Sequence, residues 1–196
     1  MFWYEDEIKH LEKQRQELTS QPKSLFYGSS SIRLWKNLKT DFSEYAPINL
    51  GFGGSTLAAC TWFFDRVMSD YKPERLVVYA GDNDLGDGRH PEEVFLFFQQ
   101  LATRAEKHFG LIPCYFISLK PSAARWHMAD QFHFTNLIIS AEVKNLPNWH
   151  WIDVYSAMLT ADGKPNASYF LEDGLHLNPK GYQLWTAIVK NALSNS

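Results

Sequence analysis

The chain has 196 residues, 45% of them hydrophobic and 21% charged, with a formal net charge of −3. That length supports one well-packed core, and the balance is that of a globular protein in water. The absence of a basic stripe or polybasic run argues against nucleic acid and anionic membranes as partners, and no apolar run is long enough for a membrane span.

Met1-Phe2-Trp3-Tyr4 runs straight into Glu5-Asp6-Glu7, without the apolar centre of a signal peptide. The two cysteines, Cys60 and Cys114, both lie in apolar stretches and read as reduced core residues, not as a disulfide framework. Both features predict a cytoplasmic protein. Residues 5–19 predict a charged helix with a thin apolar stripe of Ile8, Leu11 and Leu18, ended by Gln21-Pro22. Residues 1–22 are thus a charged helical extension at the start of a single domain spanning 1–196.

Leu25-Phe26-Tyr27 reads as a short buried strand that stops at Gly28 and passes through Ser29-Ser30-Ser31 into a helical stretch. Residues 46–50 predict a second strand, followed by Gly51-Phe52-Gly53-Gly54. Residues 55–70 then carry Leu57, Cys60, Phe64, Val67 and Met68 at helical spacing. The clearest strand is 76–80, a continuous apolar run suited to burial on both faces, and Gly81-Asp82-Asn83-Asp84 follows it. Pro91, Glu92 and Glu93 suit the first turn of a helix with Val94, Phe97, Phe98, Leu101 and Ala105 inward and Gly110 as its cap. A fourth strand is predicted at 112–118, and a less regular helix at 125–145 with Phe132, Leu137, Ile138 and Ile139 as core candidates. A fifth strand follows at 149–154, and then a last helix with Asn178 as N-cap and Pro179 at its first position, facing Tyr182, Trp185, Ile188 and Val189 inward. Strands alternating with helices predict an α/β, flavodoxin-like three-layer sandwich: a five-stranded, mostly parallel sheet of order 2-1-3-4-5 with helices on both faces.

Ligands bind such sheets beyond the carboxyl ends of the strands. Ser30 follows the first predicted strand, Gly54 the second and Asn83 the third; Glu172-Asp173-Gly174-Leu175-His176 follows the fifth. Each also has a plain structural reading: a serine cap, glycines serving a turn, an Asp-Asn-Asp turn, a surface turn at 173–176. The glycine run fits neither a phosphate-binding nor a dinucleotide-binding pattern. A metal held by Asp82, Asp84 and His176 would have fewer carboxylates than hard-metal sites usually take. Together, however, the four segments supply one chemistry. A serine hydroxyl needs a base, which His176 can be near neutral pH, and Asp173 can orient its imidazole. The oxyanion needs preorganised donors, which the Ser30 N–H, the Gly54 N–H and the Asn83 amide can be; a carboxylate at position 83 would repel it.

Phe26-Tyr27-Gly28-Ser29-Ser30, Asn49-Leu50-Gly51-Phe52-Gly53-Gly54, Gly81-Asp82-Asn83-Asp84 and Asp173-Gly174-Leu175-His176 resemble, in order, the four blocks of the GDSL/SGNH hydrolase family. The resemblance spans residues 26–176 and implies the SGNH hydrolase fold, Ser30 as nucleophile, Asp173 and His176 as its partners, and Ser30, Gly54 and Asn83 as the oxyanion hole, with no metal and no cofactor. The family's first block usually reads Gly-Asp-Ser; here Ser29 replaces the aspartate, leaving Ser29 and Ser31 as rivals, and register with the family points to Ser30. Ser118-Leu119-Lys120-Pro121-Ser122 and Arg125-Trp126, with Ser31-Ile32-Arg33-Leu34-Trp35, look like a branch of the family with Gly-Ser-Ser-Ser in block one.

The function expected from this resemblance is a serine esterase acting on a small-molecule ester, either an acyl ester or an acetylated sugar. Two alternatives share the scaffold: an acyltransferase using the same acyl-enzyme, and a binding protein silenced by the change at Ser29. Tyr27, Trp35, Trp62 and Trp126 fall near the predicted rim, where such rings either shape a substrate pocket or join the core.

Overall fold

Strands β1 (Ser24–Gly28), β2 (Pro47–Gly51), β3 (Arg75–Tyr79), β4 (Cys114–Ile117) and β5 (Trp149–Ile152) form one sheet in the computed structural model, which describes residues 1–195. The order is β2-β1-β3-β4-β5, and every pairing is parallel. The helices are α1 (Glu5–Gln16), α2 (Ser30–Arg33), α3 (Leu38–Asp41), α4 (Leu57–Met68), α5 (Asp82–Gly86), α6 (Pro91–Phe109), α7 (Ala129–Val143) and α8 (Pro179–Ser194).

The period-2 geometry of a strand divides each strand's side chains between two cores. Leu25, Tyr27, Leu76, Val78, Cys114 and Phe116 pack with α1, α4, α6 and α7 on one face. Phe26, Val77, Tyr79, Tyr115 and Ile117 pack with residues of α2, α3 and α8 on the other, around Trp35 and Trp185. Both cysteines are buried and free. No helix among the described residues is long and apolar enough to cross a membrane.

The chain passes from β1 to β2 on one side and returns to place β3 on the other, so the winding reverses beside β1. In open α/β sheets ligands bind at that reversal. Gly28 pairs with Gly51 on one flank and with Tyr79 on the other, which brings the ends of β1, β2 and β3 level.

Three local expectations change. Leu18 lies beyond the end of α1 and is 36% exposed, leaving Ile8 and Leu11 as the helix's buried contacts. The predicted helix at 125–145 divides into a 3-10 stretch at Ala123–Met128, itself kinked at Arg125, and α7, with the break at Met128, whose φ of −109 and ψ of 18 depart from α-helical angles. Within α7 the inward phase runs through Phe132, Thr135, Asn136, Ile139 and Val143, which turns Leu137 to solvent at 55% exposure.

Asp84 settles as a structural residue. Its carboxylate accepts from Leu57 N at 2.5 Å and Ala58 N at 3.2 Å, closing the N-terminal turn of α4 beside the Thr56 cap. Burial pushes this carboxyl up to about 6, against the pull of the two N–H groups. Asp84→Ala leaves those buried donors unpaired. It is expected to destabilise the fold by about 2–3 kcal/mol and lower Tm by about 4–10 °C; an unchanged melting curve would refute the capping role.

Candidate active site

The serine loop, Gly28 to Ser31, begins where β1 meets β3. Gly28 has φ +145, and a Cβ there would lie 1.8 Å from Tyr79 O, so only glycine allows this approach. The next amide, Ser29 N–H, donates to the same Tyr79 O at 2.9 Å. Ser29 precedes α2 in the N-cap position, yet its Oγ makes no capping bond and, fully buried, finds no partner among the described residues. Ser31 is 2% exposed and turned into the protein. Ser30, the first residue of α2, is the member of the trio with partial solvent access. Its N–H has no acceptor among the described residues, and the same holds for the Gly54 N–H.

Ser55 ties three segments together. Its Oγ donates to Gly28 O at 3.0 Å, and its carbonyl accepts from Asn83 Nδ2 at 3.0 Å. The other end of the Asn83 amide is also held: Arg125 Nη2 donates to Asn83 Oδ1 at 2.9 Å, while Nη1 donates to Asp82 O at 2.8 Å. With the amide oxygen fixed on the guanidinium and one N–H on Ser55, the second Asn83 N–H remains for a ligand. Asp82 sits behind it, 3.1 Å from the buried Lys120 Nζ and 3.5 Å from Arg125 Nη1. Burial alone would push the Asp82 carboxyl up, but Lys120 and Arg125 hold it below the usual carboxylate range.

Asp173 and His176 lie on a turn pinned at its base by an antiparallel bridge between Phe170 and Leu177. Asp173 Oδ2 is 2.7 Å from His176 Nδ1, and Oδ1 accepts from the Leu175 and His176 backbone amides at 2.9 Å each. The hydrogen bond from His176 is the main reason the Asp173 carboxyl is held down at about 2, with the two amides adding to it. An ionised Asp173 fixes the proton of a neutral imidazole on Nδ1 and leaves Nε2 as the basic atom. One bond connects this turn to the rest of the rim: Ala124 N–H donates to Gly174 O at 3.2 Å, one residue before the Arg125 that holds Asn83. Separately, Tyr182 OH on α8, the helix that follows the turn, donates to Ser31 O at 3.0 Å.

Asp82, Asp84 and His176 thus face three separate partners: Lys120 with Arg125, the start of α4, and Asp173. Among the described residues Ser30 and His176 share no hydrogen bond. Of the rim aromatics, Tyr27 and Trp35 are core residues at 0% and 2% exposure, whereas Trp62 is exposed and Trp126 half-buried. A groove of about 1040 Å³ lies elsewhere, lined by Glu7, His10, Arg33, Lys36 and Asn49 among others, and touches neither Ser30 nor His176. Ser55, and Tyr4 whose hydroxyl donates to Gly54 O at 2.9 Å, carry no motif signal in the sequence. Arg125 stood there only as part of a family-like segment, its partner Asn83 lying far back in the chain.

The sequence model of the GDSL-like lipase/acylhydrolase family matches residues 24–184. None of the curated proteins matches this sequence significantly. Among solved structures, a GDSL-like lipase from Bacteroides thetaiotaomicron superposes with a TM-score of 0.79 at 22% identity, covering 96% of this chain and 97% of its own. A Streptococcus pneumonia protein named for platelet activating factor gives a TM-score of 0.86 at 16% identity, covering 96% and 92%. A carbohydrate esterase of family 3 from Talaromyces cellulolyticus gives 0.73 at 15% identity, covering 89% and 97%. Likeness at such identities establishes the fold.

Proposed function

Since this chain belongs to the GDSL-like lipase/acylhydrolase family, and so to a group of ester hydrolases, we propose that it is a metal-independent serine esterase working through an acyl-enzyme on Ser30. Ser30 Oγ attacks the acyl carbonyl as His176 Nε2 takes its proton, and Asp173 stabilises the imidazolium that forms. The carbonyl oxygen becomes an oxyanion that accepts from Ser30 N–H, Gly54 N–H and the free Asn83 N–H. Collapse breaks the ester C–O bond, and the imidazolium returns the proton to the leaving alcohol. Water then attacks the acyl-enzyme with His176 again as base, releasing the carboxylic acid and regenerating Ser30.

The observation that carries this reading is the Asp173–His176 pair, 2.7 Å apart on a bridged turn and tied through Ala124 to the loop holding Asn83. Acyl transfer needs water kept from the acyl-enzyme. The His176 and Asp173 side chains are 30% and 48% exposed, which favours hydrolysis. The buried, unpartnered Ser29 Oγ leaves the family's missing aspartate without a substitute in kind, but it makes no hydrogen bond to the oxyanion donors or the base, and so argues weakly for a silent site.

The test is a panel of nitrophenyl esters from acetyl to long acyl chains, run beside acetylated sugars. Preference for acetyl excludes a lipase, and preference for long chains excludes a sugar deacetylase; no hydrolysis of any member, with no labelling by a fluorophosphonate, would overturn the esterase reading. On the best substrate, Asn83→Ala is expected to lower kcat by about 10²–10³-fold, the range for one oxyanion donor. A loss below tenfold in steady-state assays would remove Asn83 from the oxyanion hole.

A further inference from the structure

Residues before position 24 lie outside the matched family region, yet they reach the oxyanion loop. Residues Phe2–Tyr4 form a 3-10 turn leading into α1. Phe2 and Trp3 point to solvent at 87% and 73% exposure, whereas Tyr4 turns inward at 6%. Its ring packs edge-on against Phe52 at 5.4 Å and Phe63 at 6.4 Å, and its hydroxyl donates to Gly54 O at 2.9 Å.

Gly54 is weakly held by everything else. It has φ +65, and a Cβ placed there would meet nothing within 4 Å, so no packing against its open side fixes its angles. The two peptide planes that meet at Gly54 determine where its N–H points. The plane on the carbonyl side is held by Tyr4 at 2.9 Å and, at the longer distance of 3.4 Å, by Ser55 N–H donating to Phe52 O. On the amide side, Gly53 lies under an ion pair between Glu7 on α1 and Arg33 on α2, 3.0 Å apart. The segment is itself fastened to the helix that follows the loop, because Arg66 on α4 pairs with Glu5 at 2.9 Å and Glu12 at 3.0 Å.

We propose that Tyr4 is a positioning residue of the oxyanion hole: its hydroxyl fixes the Gly54 peptide so that the neighbouring N–H is aimed at the developing oxyanion. The N-terminal segment then belongs to the active site. The inference rests on the esterase reading above, with Gly54 as a donor. A donor fixed before reaction costs no reorganisation as charge develops, so its benefit falls on kcat and not on substrate binding.

Tyr4→Phe keeps the ring and deletes the hydroxyl. With nitrophenyl acetate, kcat is expected to fall about 3- to 10-fold, the range for one neutral hydrogen bond, while KM stays within about twofold and Tm within about 3 °C. The inhibition constant of phenylboronic acid, whose tetrahedral serine adduct presents an oxygen to the same donors, is expected to rise by the factor by which kcat falls. Unchanged kcat in Tyr4→Phe, beside hydrolysis that Ser30→Ala abolishes, overturns the inference and leaves the esterase reading standing. A fall in kcat that tracks a lowered Tm and spares boronate affinity also overturns it, by showing a structural role. Absence of Ser30-dependent hydrolysis in the unsubstituted enzyme removes the esterase reading and this inference with it.

Discussion

Ser30→Ala is expected to lower kcat by about 10⁴–10⁶-fold with little change in Tm, by analogy with serine hydrolases stripped of their nucleophile. The loss is large because no other group supplies covalent catalysis. What remains is the oxyanion hole and substrate binding, which act on attack by water alone. The neighbouring serines make the comparison sharp. Ser29 is fully buried and Ser31 is 2% exposed, so neither hydroxyl reaches a substrate without remodelling the loop. Ser29→Ala and Ser31→Ala are therefore expected to stay within about tenfold of the parent enzyme. Initial rates on nitrophenyl acetate and intact-mass measurement after fluorophosphonate treatment check both points. Substantial activity in Ser30→Ala, or a label carried by Ser29 or Ser31, would falsify the assignment.

Loss of the base should be nearly as severe. His176→Ala is expected to lower kcat by about 10⁴–10⁶-fold, and Asp173→Asn by about 10²–10⁴-fold, since the asparagine holds the imidazole in the wrong tautomer. The pH profile separates the two residues. Asp173 is held at about 2, below its ordinary 3.8, chiefly by the hydrogen bond from His176. It therefore stays ionised throughout the assay range, so Asp173 is expected to add no proton uptake to the acid limb of kcat/KM. A proton uptake on that limb that Asp173→Asn removes would show that the carboxylate titrates there. The same depression bears on folding. A carboxyl whose folded value lies below its unfolded value stabilises the fold above about 4, and that contribution is lost as pH falls through about 2. Acid unfolding followed at Asp173→Asn should lack this component.

The fold, and the strand ends at which the candidate residues lie, were legible where local chemistry determines structure. Continuous apolar runs bounded by glycine gave the strands, and their alternation with helical patterns gave the parallel order. The four blocks then fell at strand ends because a parallel sheet leaves its carboxyl ends on one side. What stayed hidden depends on partners distant in sequence. Asn136 is polar and was passed over for the core. It is buried because its amide bonds both the N–H of Leu119 at 2.8 Å and the carbonyl of Leu119 at 2.9 Å. Leu137 was favoured for the opposite reason and faces water, since helical phase outranks side-chain polarity once one face is covered. The two hydrogen bonds of Arg125, and the hydroxyl of Tyr4 on Gly54, likewise cross the fold and leave no periodic trace.

The interior place of β1, flanked by β2 and β3, also bears on synthesis. The ribosome releases the chain from its N-terminus, so β1, an interior strand beside the edge strand β2, emerges before the other four. β2 joins one flank and β3 the other; β4 and β5 then extend the same side in the order in which they are made. Ser30 is exposed to the cell long before the turn bearing His176 exists, by roughly ten to thirty seconds at ordinary elongation rates. On the esterase reading, an unfinished chain carries an unactivated hydroxyl and no general base. On that reading a copy truncated before Asp173 is inert, and Ser30 gains its base only after all five strands have been made.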